Sequence, residues 1–416
     1  MTTRRGYGWY VVALLAASNF LNYAQRNVLY SAYDDLRATF ALSDVQLGLL
    51  GTIYMGAHAL GTLPAGWLGD RVDRRRLIAV ALLLWSAAAL AAAGATNFAT
   101  LAVARGVTGL ATACVVPVAN AIIAETFPSE RKASVLAVFN LGLFFGGVTG
   151  AALGAFPGFP DALIGLAIPG LFAALLVVRI DVPRRPVRVK APGARALYRE
   201  ARDLLRIRTL RWLMVSTTLM AFAAGGLQAW LLDFLKKAKG MSEASATSLL
   251  GAAFLGGLCG VIAGGRIGDA MRRRFVHGRL LTIAIGMGST VPFALLAILV
   301  PPGPGLVVAS IGTMFFISWY HGPMAATVDD LAPPGRAVST QALVIFSMHL
   351  LGTAPASWLV GEVKAAVGFQ WAMLLPTAVI GLAGLAMVRA FGSFAADAAR
   401  HGSTHASRDA ITDADG

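Results

Sequence analysis

The sequence predicts an all-α membrane protein with twelve transmembrane helices in two pseudo-symmetric six-helix bundles. Three observations carry that expectation. First, of 416 residues 57% are hydrophobic and only 13% are charged, against roughly 25% charged in a soluble domain. Second, apolar runs recur along the chain, each close to the roughly 20 residues that cross a bilayer core as a helix. Third, a short glycine–aspartate–arginine pattern occurs twice, at matching places in the two halves.

The runs fall in order. Spans at about 8–29, 44–69, 77–95, 98–124, 131–155 and 160–179 make an N-terminal bundle over residues 1–180. Residues 181–208 are the longest polar stretch, with three prolines and many arginines, and are expected to be a linker. Its later part has the pattern of an amphipathic helix lying on a membrane surface. Spans at about 210–232, 244–270, 279–300, 304–328, 336–361 and 369–391 make a C-terminal bundle over 209–395. The small polar residues of 396–416 are expected to form a disordered tail. Arg4 and Arg5 before the first apolar run suggest a signal peptide, but the run continues past Tyr23 and Arg26 without a small-residue cleavage site. A retained first helix is the better reading. Cys114 and Cys259 fall inside spans of opposite halves, as packing residues rather than a disulfide.

The net charge of +14 is not a nucleic-acid footprint, because of where it lies. Basic clusters at 71–76, 131–132, 179–211 and 272–279 all follow even-numbered spans. The odd-numbered breaks are poor in arginine and lysine apart from Lys236, Lys237 and Lys239. That alternation is the positive-inside rule and predicts a multi-pass inner-membrane protein with both termini in the cytoplasm.

The repeat reads Gly66-Trp67-Leu68-Gly69-Asp70-Arg71-Val72-Asp73-Arg74-Arg75-Arg76 after span 2. After span 8 it reads Gly265-Arg266-Ile267-Gly268-Asp269-Ala270-Met271-Arg272-Arg273-Arg274. The first copy resembles the loop signature of the major facilitator superfamily, departing at Asp73, where that family usually has glycine. Further stretches narrow the resemblance to its Spinster-like branch: Asn22-Tyr23-Ala24-Gln25-Arg26, Gly109-Leu110-Ala111-Thr112-Ala113, Gly226-Leu227-Gln228-Ala229-Trp230, and Asp330-Leu331-Ala332-Pro333-Pro334. The resemblance implies the major facilitator fold and a secondary transporter working by alternating access. Its implied substrate is an anionic lysolipid or related amphiphile. In two places where the branch carries carboxylates, this chain has Gln25 and Thr112. Weak proton coupling, or facilitated transport, is therefore expected.

The residues themselves supply a site. Ionisable groups at membrane depth are costly and usually face a cavity or a partner. Asn19, Asn22 or Tyr23, Arg26 and Tyr30 recur at helical spacing. Arg26 either grips an anion through a bidentate guanidinium or snorkels to the interface. Arg105 heads a second stripe with Thr112, and is either a ligand contact or a structural bond to span 1. Candidate substrate contacts are Asn22, Tyr23, Gln25, Arg26, Arg105, Thr112, Gln228, Trp230, Tyr320, His321, Gln341 and His349, with His58 a further polar candidate. Asp70, Arg71, Arg75, Glu125, Arg131 and Asp269 are the expected cytoplasmic gate. A small soluble organic anion such as a carboxylate, coupled to protons through a histidine, is the alternative substrate. No P-loop, nucleophile elbow or His-Glu-x-x-His pair occurs. The reading is thus of a transporter rather than an enzyme, a monomer without cofactor or metal, whose partners are membrane lipid and substrate.

Overall fold

The computed structural model describes residues 2–69, 72–126, 129–181, 199, 201–333 and 336–401. The described chain is almost wholly helical: α1 (Thr2–Ser31), α2 (Tyr33–Phe40), α3 (Asp44–Gly69), α4 (Arg74–Ala93), α5 (Phe98–Thr112), α6 (Val115–Thr126), α7 (Ser129–Ala155) and α8 (Asp161–Val177). There follow α9 (Arg208–Lys237), α10 (Glu243–Arg274), α11 (Gly278–Leu299), α12 (Pro304–Ile317), α13 (His321–Leu331), α14 (Ala337–Ser347), α15 (Ala354–Val367) and α16 (Phe369–His401). With α5–α6, α12–α13 and α14–α15 each taken as one interrupted span, and the eight-residue α2 set aside as a connection, the described helices make the twelve segments expected. Among the described residues, nine segments are long and apolar enough to cross a membrane. A tenth, α8, is apolar but shorter.

Two compact units form. Unit 1 holds residues 1–191 together with 228–247 and 357–366, and unit 2 holds 192–227, 248–356 and 367–416. In unit 1, α1 packs along α7, α3 along α5, and α4 along α8. The α1–α7 contact is built by glycine. A Cβ at Gly146 would sit 2.2 Å from the Phe20 carbonyl oxygen, and one at Gly150 equally close to that of Ala24. The spacing Gly142-x-x-x-Gly146-x-x-x-Gly150 is therefore a close helix contact, in which bare backbone replaces side chains. In unit 2, α11 packs on α16 and α12. A Cβ at Gly260 would lie 2.0 Å from the Phe315 carbonyl oxygen, so the stripe Gly256-x-x-x-Gly260-x-x-x-Gly264 seats α10 on α12 in the same way.

Two boundaries have local causes. Asp73, the departure from the usual glycine, caps α4: its Oδ1 accepts the Arg75 N–H at 3.1 Å. It also receives the Arg75 guanidinium at 3.0 and 2.7 Å. That hydrogen bonding holds the Asp73 carboxyl at a pKa of about 2. At the other end, α16 continues to His401. Asp397 accepts from the Thr209 backbone N–H and hydroxyl at 2.8 and 2.7 Å, so it caps the start of α9 from a distance. The rest of the expected tail, 402–416, and linker residues 182–198 and 200 lie outside the described residues. Cys114 and Cys259 are both free thiols.

Candidate functional site

The polar interior of unit 1 is assembled from α1, α3 and α5. Glycine again sets the approach: a Cβ at Gly109 would lie 2.2 Å from the Tyr54 carbonyl oxygen, so only glycine lets α5 close on α3 there. That contact brings Thr112 against α3. Its hydroxyl lies 3.1 Å from His58 Nδ1 and 3.3 Å from the Tyr54 hydroxyl, and donates to the Gly109 carbonyl at 3.0 Å. Tyr54 and His58 stack one turn apart on α3, with ring centroids 6.2 Å apart.

Arg105 lies one to two turns earlier on α5 and is 1% exposed. Its Cζ sits 4.3 Å over the Tyr54 ring, a cation–π contact. Nη1 donates a long bond of 3.4 Å to the Gln25 carbonyl on α1, while Nε and Nη2 have no hydrogen-bond partner among the described residues. The half-buried Arg26 likewise leaves its Nε unpaired. It is close enough to act electrostatically on Tyr23, Tyr54 and His58. Neither arginine forms an ion pair with a carboxylate among the described residues. Unit 1 therefore holds two cations beside a Tyr–His–Thr network, with donor capacity left over. Chemically, that arrangement suits an anion.

The remaining expected contacts separate by unit. In unit 1, Asn22 is buried on α1, and Gln25 contributes its backbone carbonyl. Gln228 donates to Asn27 Oδ1 at 2.7 Å, and Asn27 in turn donates to the Tyr23 carbonyl at 2.8 Å. Trp230 is fully buried: its indole N–H donates to the Ser357 carbonyl at 2.9 Å, and its ring lies 5.1 Å from that of Tyr33. In unit 2, a short 3₁₀ turn at Ser318–Tyr320 sets Tyr320 against His321, ring centroids 4.0 Å apart. His321 Nδ1 lies 3.0 Å from the Ser318 carbonyl. Gln341 donates to the Ala325 carbonyl at 2.8 Å and to Asp329 at 3.2 Å, and His349 falls in a π-helical turn, Met348–Thr353.

Of the expected gate residues, Asp70 and Arg71 lie outside the described residues, as do the side chains of Glu125 and Arg131. Arg75 is spent on Asp73 and on the Ile180 carbonyl, at 2.8 Å. Asp269 pairs with Arg279 at 3.3 Å, and Arg279 also reaches Asp330 at 2.7 Å.

A second charged assembly in unit 1 escaped the sequence reading. Asp233 is 3% exposed. It accepts from Arg37 at 3.2 and 2.7 Å, from Lys237 at 3.3 Å and from Lys364 at 3.1 Å. Arg37 also reaches Asp34 at 3.0 Å and Asp44 at 2.7 Å, and Lys364 bonds Asp44 at 2.7 Å. Lys236 pairs with Asp34 at 2.6 Å and with Glu243, and Lys237 pairs with Asp34 at 2.7 Å. Burial works against charge on Asp34, but hydrogen bonds from Lys236 and Lys237 outweigh it and hold its carboxyl well below the usual range. Burial likewise disfavours charge on Arg37, yet Asp233 and Asp44 hold its guanidinium above its ordinary value. The signal was available as mixed charge in breaks that should be nearly neutral: Lys236 and Lys237 are two of the three exceptions to the basic alternation.

The fold is that of a membrane transporter. The family model of the Major Facilitator Superfamily matches residues 15–357, and the chain belongs to that family. Within it, the similarity runs to Spinster-like members. The chain is 27% identical over 394 residues to Protein spinster homolog 3 of Danio rerio, covering 88% of this chain and 78% of that protein. It is 26% identical over 393 residues to the sphingosine-1-phosphate transporter SPNS2 of Xenopus tropicalis, covering 86% and 75%. Among solved structures, a bacterial homolog of the human lysosomal transporter Spinster, inward-facing and unoccupied, superposes with a TM-score of 0.82. It is 20% identical and covers 96% of this chain and 99% of its own. The nucleoside transporter NupG superposes with a TM-score of 0.78 at 12% identity, covering 92% and 99%. These two likenesses establish the fold. The chain is thus a multi-pass membrane transporter of the major facilitator type and not an enzyme.

Proposed function

We propose that this carrier moves an anionic lysolipid or related amphiphile across the inner membrane by alternating access. One observation carries the reading: Arg26 and Arg105 stand inside unit 1 with unpaired N–H groups and no carboxylate among the described residues to neutralise them. Two uncompensated guanidinium groups are expensive at membrane depth unless an anion completes them. The similarity to a protein named as a sphingosine-1-phosphate transporter supports an amphiphile with an anionic head. The basic alternation supports cytoplasmic termini, which puts α2, the start of α3 and the α9–α10 connection on the outer side. Asp70, Arg71, Glu125 and Arg131 then serve the cytoplasmic gate, with Arg75 held by Asp73 and Asp269 by Arg279 beside them, and Tyr320, His321, Gln341 and His349 are the unit 2 contacts.

Coupling to protons is weak in this reading, because Gln25 and Thr112 do not titrate where the Spinster-like branch carries carboxylates. A small soluble carboxylate is the second reading, with His58, 3.1 Å from the Thr112 hydroxyl, as the titratable group of that network. Proteoliposome flux of lysophosphatidylglycerol and of a short monocarboxylate distinguishes them. The proposal expects lysolipid flux that an imposed pH difference changes little and does not drive uphill. Monocarboxylate accumulation driven by pH alone, without lysolipid flux, would replace it with the second reading.

A further inference from the structure

Arg273 and Arg274 belong to neither the transport site nor the expected gate. They close the second copy of the glycine–aspartate–arginine repeat, which ends differently from the first. Counting from the shared Gly-Asp, Arg272 stands where the first copy has Asp73, the residue that clamps Arg75. The nearby carboxylates are already engaged: Asp269 and Asp330 both hold Arg279, and Asp329 takes Gln341. Arg272 lies in the field of Asp330. Arg273 and Arg274, by contrast, are exposed and form no ion pair among the described residues. The next two residues are apolar and equally open, Phe275 being 46% exposed and Val276 52%.

The connection that carries this pair is short and fixed. The Phe275 N–H donates to the Met271 carbonyl and the Gly278 N–H to the Phe275 carbonyl, each at 2.8 Å. A Cβ at Gly278 would lie 2.1 Å from the Met271 carbonyl oxygen, so only glycine starts α11 this close to the end of α10. His277 stacks on Phe391 of α16 with ring centroids 4.9 Å apart, and Phe275 joins the stack 6.3 Å from His277. Both flanking helices are long and apolar enough to cross a membrane. α11 has 22 residues, about 33 Å at 1.5 Å per residue, against a hydrocarbon core of about 30 Å. Its first residue is therefore at the edge of the core, and residues 275–277 lie in the headgroup layer. There an exposed Phe–Val pair meets glycerol and the first chain carbons, while the two arginines meet phosphate. We propose that this connection is a docking site for one anionic phospholipid of the surrounding membrane. Arg273 and Arg274 take its phosphate, and Phe275 and Val276 take its glycerol end. Charge selects the lipid, because a zwitterionic headgroup brings a cation of its own toward the arginines and an anionic one does not. The fixed turn presents the four side chains without reordering the backbone, which lowers the cost of binding.

Native mass spectrometry reads the bound lipid directly. The full chain in detergent is titrated with dioleoylphosphatidylglycerol and with dioleoylphosphatidylcholine, which share their chains and differ in headgroup charge. Titrations are run in the parent and in Arg26→Ala, so that binding at the unit 1 arginines is read separately. Both proteins should bind phosphatidylglycerol more tightly than phosphatidylcholine. Each arginine near an anionic surface is worth about fivefold in affinity. Arg273→Gln/Arg274→Gln should therefore raise the apparent Kd for phosphatidylglycerol at least about tenfold and leave that for phosphatidylcholine unchanged. Phe275→Ser/Val276→Ser should raise both constants several-fold. Arg206→Gln/Arg211→Gln removes two exposed arginines elsewhere in unit 2 and should change neither. Equal weakening by that control would mean attraction by net charge alone. An unaltered constant in Phe275→Ser/Val276→Ser would mean a site for free phosphate. Either result, or unchanged binding in Arg273→Gln/Arg274→Gln, overturns the proposal. In phosphatidylglycerol nanodiscs, a spin label at Val276→Cys, with Cys114 and Cys259 replaced by serine, should be more accessible to oxygen than to a water-soluble nickel chelate. The reverse order would place the connection in water and overturn the proposal as well. Lysolipid flux plays no part in these outcomes, so a wrong substrate class would leave them standing.

Discussion

Replacing Arg105 by methionine separates a residue kept for stability from one kept for binding. Two of its nitrogens, Nε and Nη2, have no hydrogen-bond partner among the described residues. An unsatisfied buried donor costs about 1–3 kcal/mol, so the pair costs roughly 2–6 kcal/mol. The stack over Tyr54 at 4.3 Å returns up to about 2 kcal/mol, and the 3.4 Å bond to Gln25 returns little. Arg105 therefore carries a deficit of roughly 0–6 kcal/mol, overlapping the range recovered when buried ions elsewhere are replaced by apolar side chains. Methionine keeps most of the stem and removes the charge. Arg105→Met should melt at the same temperature as the parent or a few degrees higher. Lysophosphatidylglycerol should raise the melting temperature of the parent, by mass action worth about 2.7 kcal/mol at a hundredfold excess over Kd. It should leave Arg105→Met unmoved. Scanning fluorimetry in detergent reads both. A variant that loses several degrees yet keeps the ligand-induced rise would show that Arg105 braces α5 against α1 and does not bind.

Three further outcomes follow from the same geometry. Arg26→Lys keeps the charge but not the planar fork, and lysolipid flux should fall at least about tenfold; Arg26→Ala should do no better, and Arg400→Ala should match the parent. Asp397→Ala removes the acceptor of the Thr209 N–H and hydroxyl; a lost cap costs about 1 kcal/mol, so the melting temperature should fall while substrate affinity is unchanged. The Asp34 carboxyl is depressed in the folded protein. Its contribution to stability is therefore present above the unfolded carboxylate value of about 3.9 and is lost only as pH falls through the lower folded value. The melting temperature should accordingly show no loss from this group between about pH 5.5 and 8.

The fold was legible because its determinants are local: hydropathy sets the spans, and arginine placement sets the alternation. Even the Asp73 departure was visible, although its role was not. A capping aspartate that also clamps Arg75 needs the geometry of α4 to be recognised. The arginine stripe was legible in part. Arg26 and Arg105 follow from the cost of charge at membrane depth, but the Tyr54–His58–Thr112 network depends on the close approach at Gly109. Nothing in the spacing of α3 reveals that approach. Trp230 and Gln228 show the limit of pattern reading. Polar and aromatic residues in a span look alike whether they meet ligand or protein, and here both are engaged by unit 1. The Asp233 lattice joins residues up to 320 positions apart, a separation beyond any local pattern.

The central claim is that Arg26 and Arg105, neither ion-paired with a carboxylate among the described residues, hold an anionic amphiphile. The measurement that meets it most directly is mass spectrometry of lipids retained through purification by the parent and by Arg26→Ala, at matched detergent and yield. The account predicts that the parent retains an anionic lysolipid well above its share of the membrane extract, and that Arg26→Ala loses this enrichment. Identical lipid profiles in the two proteins, or enrichment of a zwitterionic lipid in both, would contradict it.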